Sequence, residues 1–158
     1  MPPALTSMTA EKRSETIDAS VESSASGRII TRVGIGIIRH EGKVVVGVRA
    51  SDATLGGFAE FPGGKCELGE PVVETIRREC LEETGLVVDV EDAPLVVTRH
   101  DYAHGKLELH FHLCTLQSDG SAELAGSFRW VEKWELAALK FPPANTEALE
   151  LLSELPDA

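Results

Sequence analysis

Three glutamates, Glu79, Glu82 and Glu83, stand at i, i+3 and i+4 in the stretch Arg78-Glu79-Cys80-Leu81-Glu82-Glu83-Thr84-Gly85-Leu86. On an α-helix that spacing puts their carboxylates on one face. Like charges so placed repel, and the helix gains nothing from them unless a cation binds. Magnesium takes carboxylate oxygens in octahedral geometry and completes its shell with water and substrate phosphates. A polyphosphate is repelled by three bare carboxylates, whereas one or more Mg²⁺ ions, or Mn²⁺ in their place, bridge the two. The spacing therefore suits a hard divalent cation able to hold a phosphate. Arg78 can pair with Glu82 at i+4 or reach back to Glu70, holding a carboxylate in position. Upstream, Gly63-Gly64 lets backbone carbonyls approach a metal that bulkier residues would hinder.

An isolated Arg-Arg-Glu-Cys-Leu-Glu-Glu string is more often a solvated helix face. The longer pattern decides otherwise. From Gly64 to Leu86 the sequence resembles the Nudix box, G-x5-E-x7-R-E-U-x-E-E-x-G-U, where U is a bulky aliphatic residue. Gly64, Glu70, Arg78, Glu79, Glu82, Glu83 and Gly85 occupy the fixed positions, and Leu86 the final aliphatic one. Such a match arises by chance on the order of once per million chains of this length. Cys80 departs from the pattern at an aliphatic position but is apolar enough to pack. The resemblance implies an α/β Nudix fold, a mixed β-sheet sandwiched between helices. It also implies hydrolysis at a phosphorus of a nucleoside diphosphate linked to another group, with water activated near metal ions. By the same resemblance Glu82 and Glu83 are the principal metal ligands, assisted by the Gly63 or Gly64 carbonyl. Glu79 is a further ligand or the base that orients the water.

Flanking residues bear on substrate. Glu60-Phe61-Pro62-Gly63-Gly64-Lys65, Arg49 followed by Ala50-Ser51-Asp52-Ala53, and Phe141-Pro142-Pro143-Ala144-Asn145 resemble the MutT branch of the family. That branch sanitises oxidised guanine nucleotides, which implies an 8-oxo-dGTP type of nucleoside triphosphate, cut at the β-phosphorus to monophosphate and pyrophosphate. Guanine offers two acceptors, O6 and N7, on its major-groove edge. Oxidation at C8 puts a hydrogen on N7, so one Asn amide can donate to O6 and accept from N7–H. Asn145 is the candidate reader, its alternative being a helix N-cap. Arg49 is read as reaching the C8 oxygen or a phosphate, or else as a solvated strand-end charge. Phe61 packs against the base or belongs to the core. The family commonly adds a loop carboxylate near the metals; Glu123 is the nearest candidate, although strict counting falls on Leu124. Other Nudix substrates (CTP, another dNTP, ADP-ribose or a dinucleotide) form the second reading. A catalytically silent Nudix module is the third, disfavoured because all four box glutamates are present. His110 and His112 share a strand face with Glu108 but lack a third ligand at diagnostic spacing, so they are read as sheet-face residues.

The positioning elements follow from patterning. Glu70–Thr84 is predicted to be a helix, with Pro71 at its start, Gly85 past its end, and Val72, Val73, Ile76 and Cys80 as its apolar stripe. Ile29–Ile38 and Lys43–Val48 read as a hairpin, and Pro62-Gly63-Gly64 as a break. Phe58–Phe61, Leu86–Val90, Pro94–Arg99, the alternating Leu107–Leu113 and Phe128–Val131 read as extended segments, and Asn145–Leu155 as an amphipathic helix. Residues 1–27, rich in Ser, Ala, Thr, Glu and Pro, read as a disordered tail; residues 28–158 form one Nudix domain.

The bulk composition closes off other classes. The chain has 158 residues, 26 acidic against 15 basic, for a net charge of −11. That balance argues against a nucleic-acid polymer as partner, since such binding rests on Lys and Arg neutralising phosphates. No apolar run approaches the roughly 20 residues of a membrane span. The N-terminus resembles neither a signal nor a transit peptide, so a cytoplasmic protein is expected. Three cysteines without a C-x-x-C pair read as reduced thiols.

Overall fold

The computed structural model describes the backbone of residues 21–23 and all of residues 29–157. Nine strands form one mixed sheet among these residues, in the order β4-β3-β2-β8-β6, with β1 and β5 on β2, β7 on β8 and β9 on β3. In chain order they are β1 (Val21–Ser23), β2 (Ile29–His40), β3 (Lys43–Val48), β4 (Ala59–Glu60), β5 (Gly63–Lys65), β6 (Val88–Val90), β7 (Val96–Tyr102), β8 (Gly105–Leu116) and β9 (Arg129–Glu132). Helix α1 spans Val72–Thr84 and α2 spans Thr146–Glu154, with 3₁₀ turns at Lys133–Ala138 and Pro143–Asn145.

At the centre, β2 runs parallel to β8, Ile29 opposite Gly105 and Ile38 opposite Cys114. Both faces of this pair are covered, which is why Val33–Ile38 carries no polar side chain. One core joins Val33, Ile35 and Ile37 of β2 and Leu107, Leu109 and Phe111 of β8 to Ala148 and Leu152 of α2. The other joins Ile38, Val45 and Cys114 to Ile76 and Cys80 of α1. The expected sandwich of a mixed sheet between helices is therefore present.

Glycines set how close α1 lies to the sheet. A Cβ on Gly34 would sit 2.8 Å from Ile76 Cγ1, and one on Gly36 2.8 Å from Cys80 Sγ. The helix thus rests directly on β2. It starts after Pro71 and stops at Gly85, whose φ of 82° is left-handed and whose N–H donates to Leu81 O at 3.0 Å. Such a C-terminal glycine is the expected helix stop.

Several expectations are corrected. Gly63 and Gly64, read with Pro62 as a break, belong to strand β5, which pairs antiparallel with Val33–Ile35. The β2–β3 hairpin is confined to Arg39–Val44 and His40–Lys43, and β3 pairs chiefly with β9. Val21–Ser23, within the segment expected to be unstructured, pairs with Ile29–Thr31, while the rest of that tail lies outside the described residues. Among the described residues no helix is long and apolar enough to cross a membrane.

Candidate active site

Helix α1 and strand β5 build the site together. Because β5 is hydrogen-bonded to β2 and α1 lies on β2, the Gly63-Gly64 backbone meets the carboxylate face of the helix. The three glutamates grade outward from there. Glu79 is 0% exposed, Glu83 is half-buried and Glu82 is exposed. Gly63 N–H donates to Glu83 Oε1 at 3.2 Å. Glu79 lies so close to Gly64 that a Cβ there would fall 2.5 Å from its Oε2. Absence of a side chain at Gly64 is thus what makes room for the buried carboxylate. At Gly63 the reason is different, since a Cβ would strike Gly34 O at 2.4 Å.

Arg78 ties the array together. Its Nε donates to Glu70 Oε2 at 2.8 Å and its Nη2 to Glu70 Oε1 at 2.9 Å, a two-pronged pairing of the strong kind. Its Nη1 reaches Glu79 Oε2 at 3.0 Å and Glu82 Oε1 at 3.5 Å. Both partners foreseen for Arg78, Glu70 and Glu82, are therefore engaged at once. Burial alone would raise the Glu70 carboxyl. Hydrogen bonds from Arg78, from Glu67 N–H and from Thr75 outweigh it and hold the group down at about 2. The same partnership raises the Arg78 guanidinium further above its ordinary value. Thr75 is a participant the sequence reading missed. Its only signal was its place three residues before Arg78 on the same helix face.

As the side chains stand, no three His, Cys, Asp or Glu groups among the described residues converge into a ready cation cage. The donor set nevertheless suits a hard divalent ion. Three carboxylates share one helix face, one is seated against backbone with no Cβ between, and Arg78 and Gly63 N–H offset their repulsion.

The remaining candidates fall into two groups. Arg49, Phe61 and Asn145 occupy neighbouring segments, Arg49 N–H donating to Phe58 O at 2.9 Å. Ala59 N–H donates to Lys140 O at 2.8 Å, and Phe61 stacks on Phe141 with ring centroids 4.9 Å apart. Phe61 belongs to the core there. Arg49 is 4% exposed, which removes the reading of a solvated charge. Its Nε donates to Thr54 O at 2.8 Å, and its Nη1 lies 3.7 Å from Glu60 Oε1. Asn145 is 3% exposed and stands at the N-cap position of α2, yet its side chain makes no capping hydrogen bond. The capping role is thus corrected, and a buried amide is left facing its surroundings. Glu123 lies on an exposed loop held against the end of α1, where Ala125 N–H donates to Thr84 O at 3.1 Å. Leu124 beside it packs on the core.

The histidines are accounted for without a metal. His110 Nε2 pairs with Glu108 Oε1 at 2.7 Å, and Glu108 also accepts from Arg99 Nε at 2.9 Å. His112 Nδ1 bonds Glu91 O at 2.7 Å, and burial lowers its pKa. Cys80 and Cys114 touch each other in the core. The Cys114 contact and burial push the Cys80 thiol well up, which suits packing rather than reactivity.

A mixed sheet between helices, carrying a glutamate-lined helix seated on a Gly-Gly strand, defines a hydrolase of the Nudix class, whose members use divalent metal ions. The family model described as NUDIX domain matches residues 34–151, and the chain belongs to that family. It is 29% identical over 143 residues to the 8-oxo-dGTP diphosphatase of Escherichia coli (strain K12), covering 78% of this chain and 97% of that one. Its identity to the 8-oxo-dGTP diphosphatase of Haemophilus influenzae is 32% over 127 residues, covering 78% and 91%. The solution structure titled DNA mismatch repair protein MutT, from methicillin-resistant Staphylococcus aureus 252, superposes with a TM-score of 0.64 at 28% identity, over 81% of this chain and 99% of that one.

Proposed function

We propose that this chain is a Mg²⁺-dependent pyrophosphohydrolase of oxidised purine nucleoside triphosphates of the 8-oxo-dGTP type, acting to sanitise the nucleotide pool ahead of DNA synthesis. Glu82 and Glu83 hold the metal, with Glu79 and the Gly63 or Gly64 carbonyl completing its protein ligands and Glu123 as an outer candidate. The metal, Mg²⁺ or Mn²⁺ in its place, supplies Lewis acidity and neutralises charge developing on the phosphates. Arg78 and Glu70 keep the carboxylates in register. A water oxygen attacks the β-phosphorus, and the bond from that phosphorus to the α–β bridging oxygen breaks. The products are a nucleoside monophosphate and pyrophosphate.

Asn145 is the observation that carries the choice of base. Its side chain is buried and makes no capping bond, so the amide is not engaged at the helix start. An oxidised guanine presents an acceptor at O6 and a donor at N7–H, matching both halves of that amide, whereas guanine sets a lone pair against its oxygen. Arg49 supplies a cation for the C8 oxygen or a phosphate, and Phe61, stacked on Phe141 in the core, backs that corner. The names of the relatives point to the same substrate.

The test is kcat/KM with Mg²⁺ for 8-oxo-dGTP beside dGTP, CTP and ADP-ribose, with products identified. A preference of orders of magnitude for 8-oxo-dGTP, with release of pyrophosphate, supports the reading. Comparable or faster turnover of the others leaves Nudix chemistry standing and overturns the assignment of the base.

A further inference from the structure

Behind the carboxylate array lies a hydroxyl that the Nudix pattern does not include. Thr75 is 0% exposed, on the face of α1 turned towards β2. A Cβ on Gly34 would come within 3.4 Å of its Cγ2, so the methyl is pinned against that strand. This leaves Oγ1 pointing back along the helix, where it donates to Glu70 Oε1 at 2.7 Å. An alternative acceptor, Pro71 O, is farther away at 3.3 Å. A hydroxyl has one hydrogen, and the shorter contact to an ionised oxygen is the stronger. The buried Cys66 thiol lies against the same hydroxyl from the β5 side.

The consequence passes through two pairs. Glu70 Oε1 is shared by Thr75, Glu67 N–H and Arg78 Nη2, so Thr75 fixes the rotation of that carboxylate. A carboxylate so fixed presents both oxygens to the fork of Arg78, and Arg78 Nη1 is then aimed at Glu79 and Glu82. We propose that Thr75 is a positioning residue that orients Glu70 and, through Arg78, sets the metal-binding arrangement of Glu79 and Glu82. The proposal rests on the reading of that face as the metal site.

The test compares Thr75→Val, which keeps the shape and loses the hydroxyl, with Thr75→Ser, which keeps the hydroxyl and loses the methyl. Mn²⁺ binding to the nucleotide-free protein is followed by electron paramagnetic resonance, beside kcat and KM with Mg²⁺ and far-UV circular dichroism. Thr75→Val is expected to weaken Mn²⁺ binding and lower kcat by roughly tenfold, the effect of one charge-assisted hydrogen bond, while KM for the nucleotide moves little. Thr75→Ser is expected to stay within about threefold of the parent on every readout. If Thr75→Val fails to fold, Thr75→Ala takes its place beside Thr75→Ser. Parent-like behaviour of Thr75→Val overturns the proposal, and so does a Thr75→Ser variant as impaired as Thr75→Val, which would assign the effect to methyl packing. A parent protein that binds no Mn²⁺ overturns the metal-site reading and the proposal with it.

Discussion

Replacing Gly64 by alanine tests the seat of Glu79 with a single methyl group. The added Cβ would lie 2.5 Å from Glu79 Oε2 and 2.6 Å from Cδ, far inside van der Waals contact. Backbone strain is not at issue, because residue 64 is extended and paired with Gly34. What must move is the flexible end of a glutamate, which then leaves its buried seat and its 3.0 Å bond from Arg78. Overpacking costs about 1–3 kcal/mol in general, and the yielding obstacle places this case near about 1 kcal/mol. For a domain of this size that lowers Tm by roughly 2–4 °C. Catalysis suffers more, since a displaced Glu79 no longer acts as ligand or base, and general-base loss alone costs about 10²–10⁴ in rate. Urea denaturation and steady-state kinetics with Mg²⁺ separate the two effects. Gly63→Ala is the contrast: its Cβ would meet backbone, Gly34 O at 2.4 Å and Ile35 Cα at 2.9 Å, so stability should fall further. A well-folded Gly64→Ala enzyme with kcat within about threefold of the parent would refute the argument that the bare glycine serves Glu79.

Glu82→Gln, on an exposed side chain, should cut kcat by at least about a hundredfold while thermal unfolding stays nearly unchanged; retained turnover with Mg²⁺ would remove Glu82 from the ligand set. Glu70→Gln should lower stability at neutral pH and change its acid dependence. The Glu70 carboxyl, held at about 2 in the folded chain against an ordinary 4.5, contributes stability above pH 4.5 that disappears as pH falls towards 2. Urea midpoints measured across that window should fall less steeply for the variant than for the parent, and parallel curves would count against the ion pair. Asn145→Ala should reduce the preference for 8-oxo-dGTP over dGTP by roughly tenfold to a hundredfold, with a smaller effect on dGTP itself. An unchanged ratio would show that Asn145 does not read the base.

Helix α1 was legible because its information is local. Pro71, Gly85, the Val72–Cys80 stripe and the glutamate spacing all lie within one short window, and α1 follows them closely. Strand β5 was not legible, since Pro62-Gly63-Gly64 has poor strand propensity and gains its order from pairing with Val33–Ile35, far back in the chain. The small reach of the β2–β3 hairpin has the same origin: β2 spends its length on the parallel partner β8, which no local pattern announces. Among the site residues, spacing identified the face shared by Glu79, Glu82 and Glu83 but not its gradient of burial, which depends on where β5 crosses α1. For Asn145 the helix start was visible and the missing cap was not, because a side-chain orientation is decided by tertiary surroundings.

The parallel pairing of β2 with β8 also orders events in time. Every residue of β2 from Ile29 to Ile38 finds its partner between Gly105 and Cys114, so the central ladder cannot close until that distant stretch is available. Closing so long a loop is entropically slow, and such topologies fold later than locally paired ones. On a ribosome the acidic helix and its Gly-Gly strand emerge well before β8, and Asn145 emerges last of all. The glutamate face and the segment that carries Asn145 are therefore synthesised at different moments. A nascent chain arrested before α2 would carry the glutamate helix without Asn145.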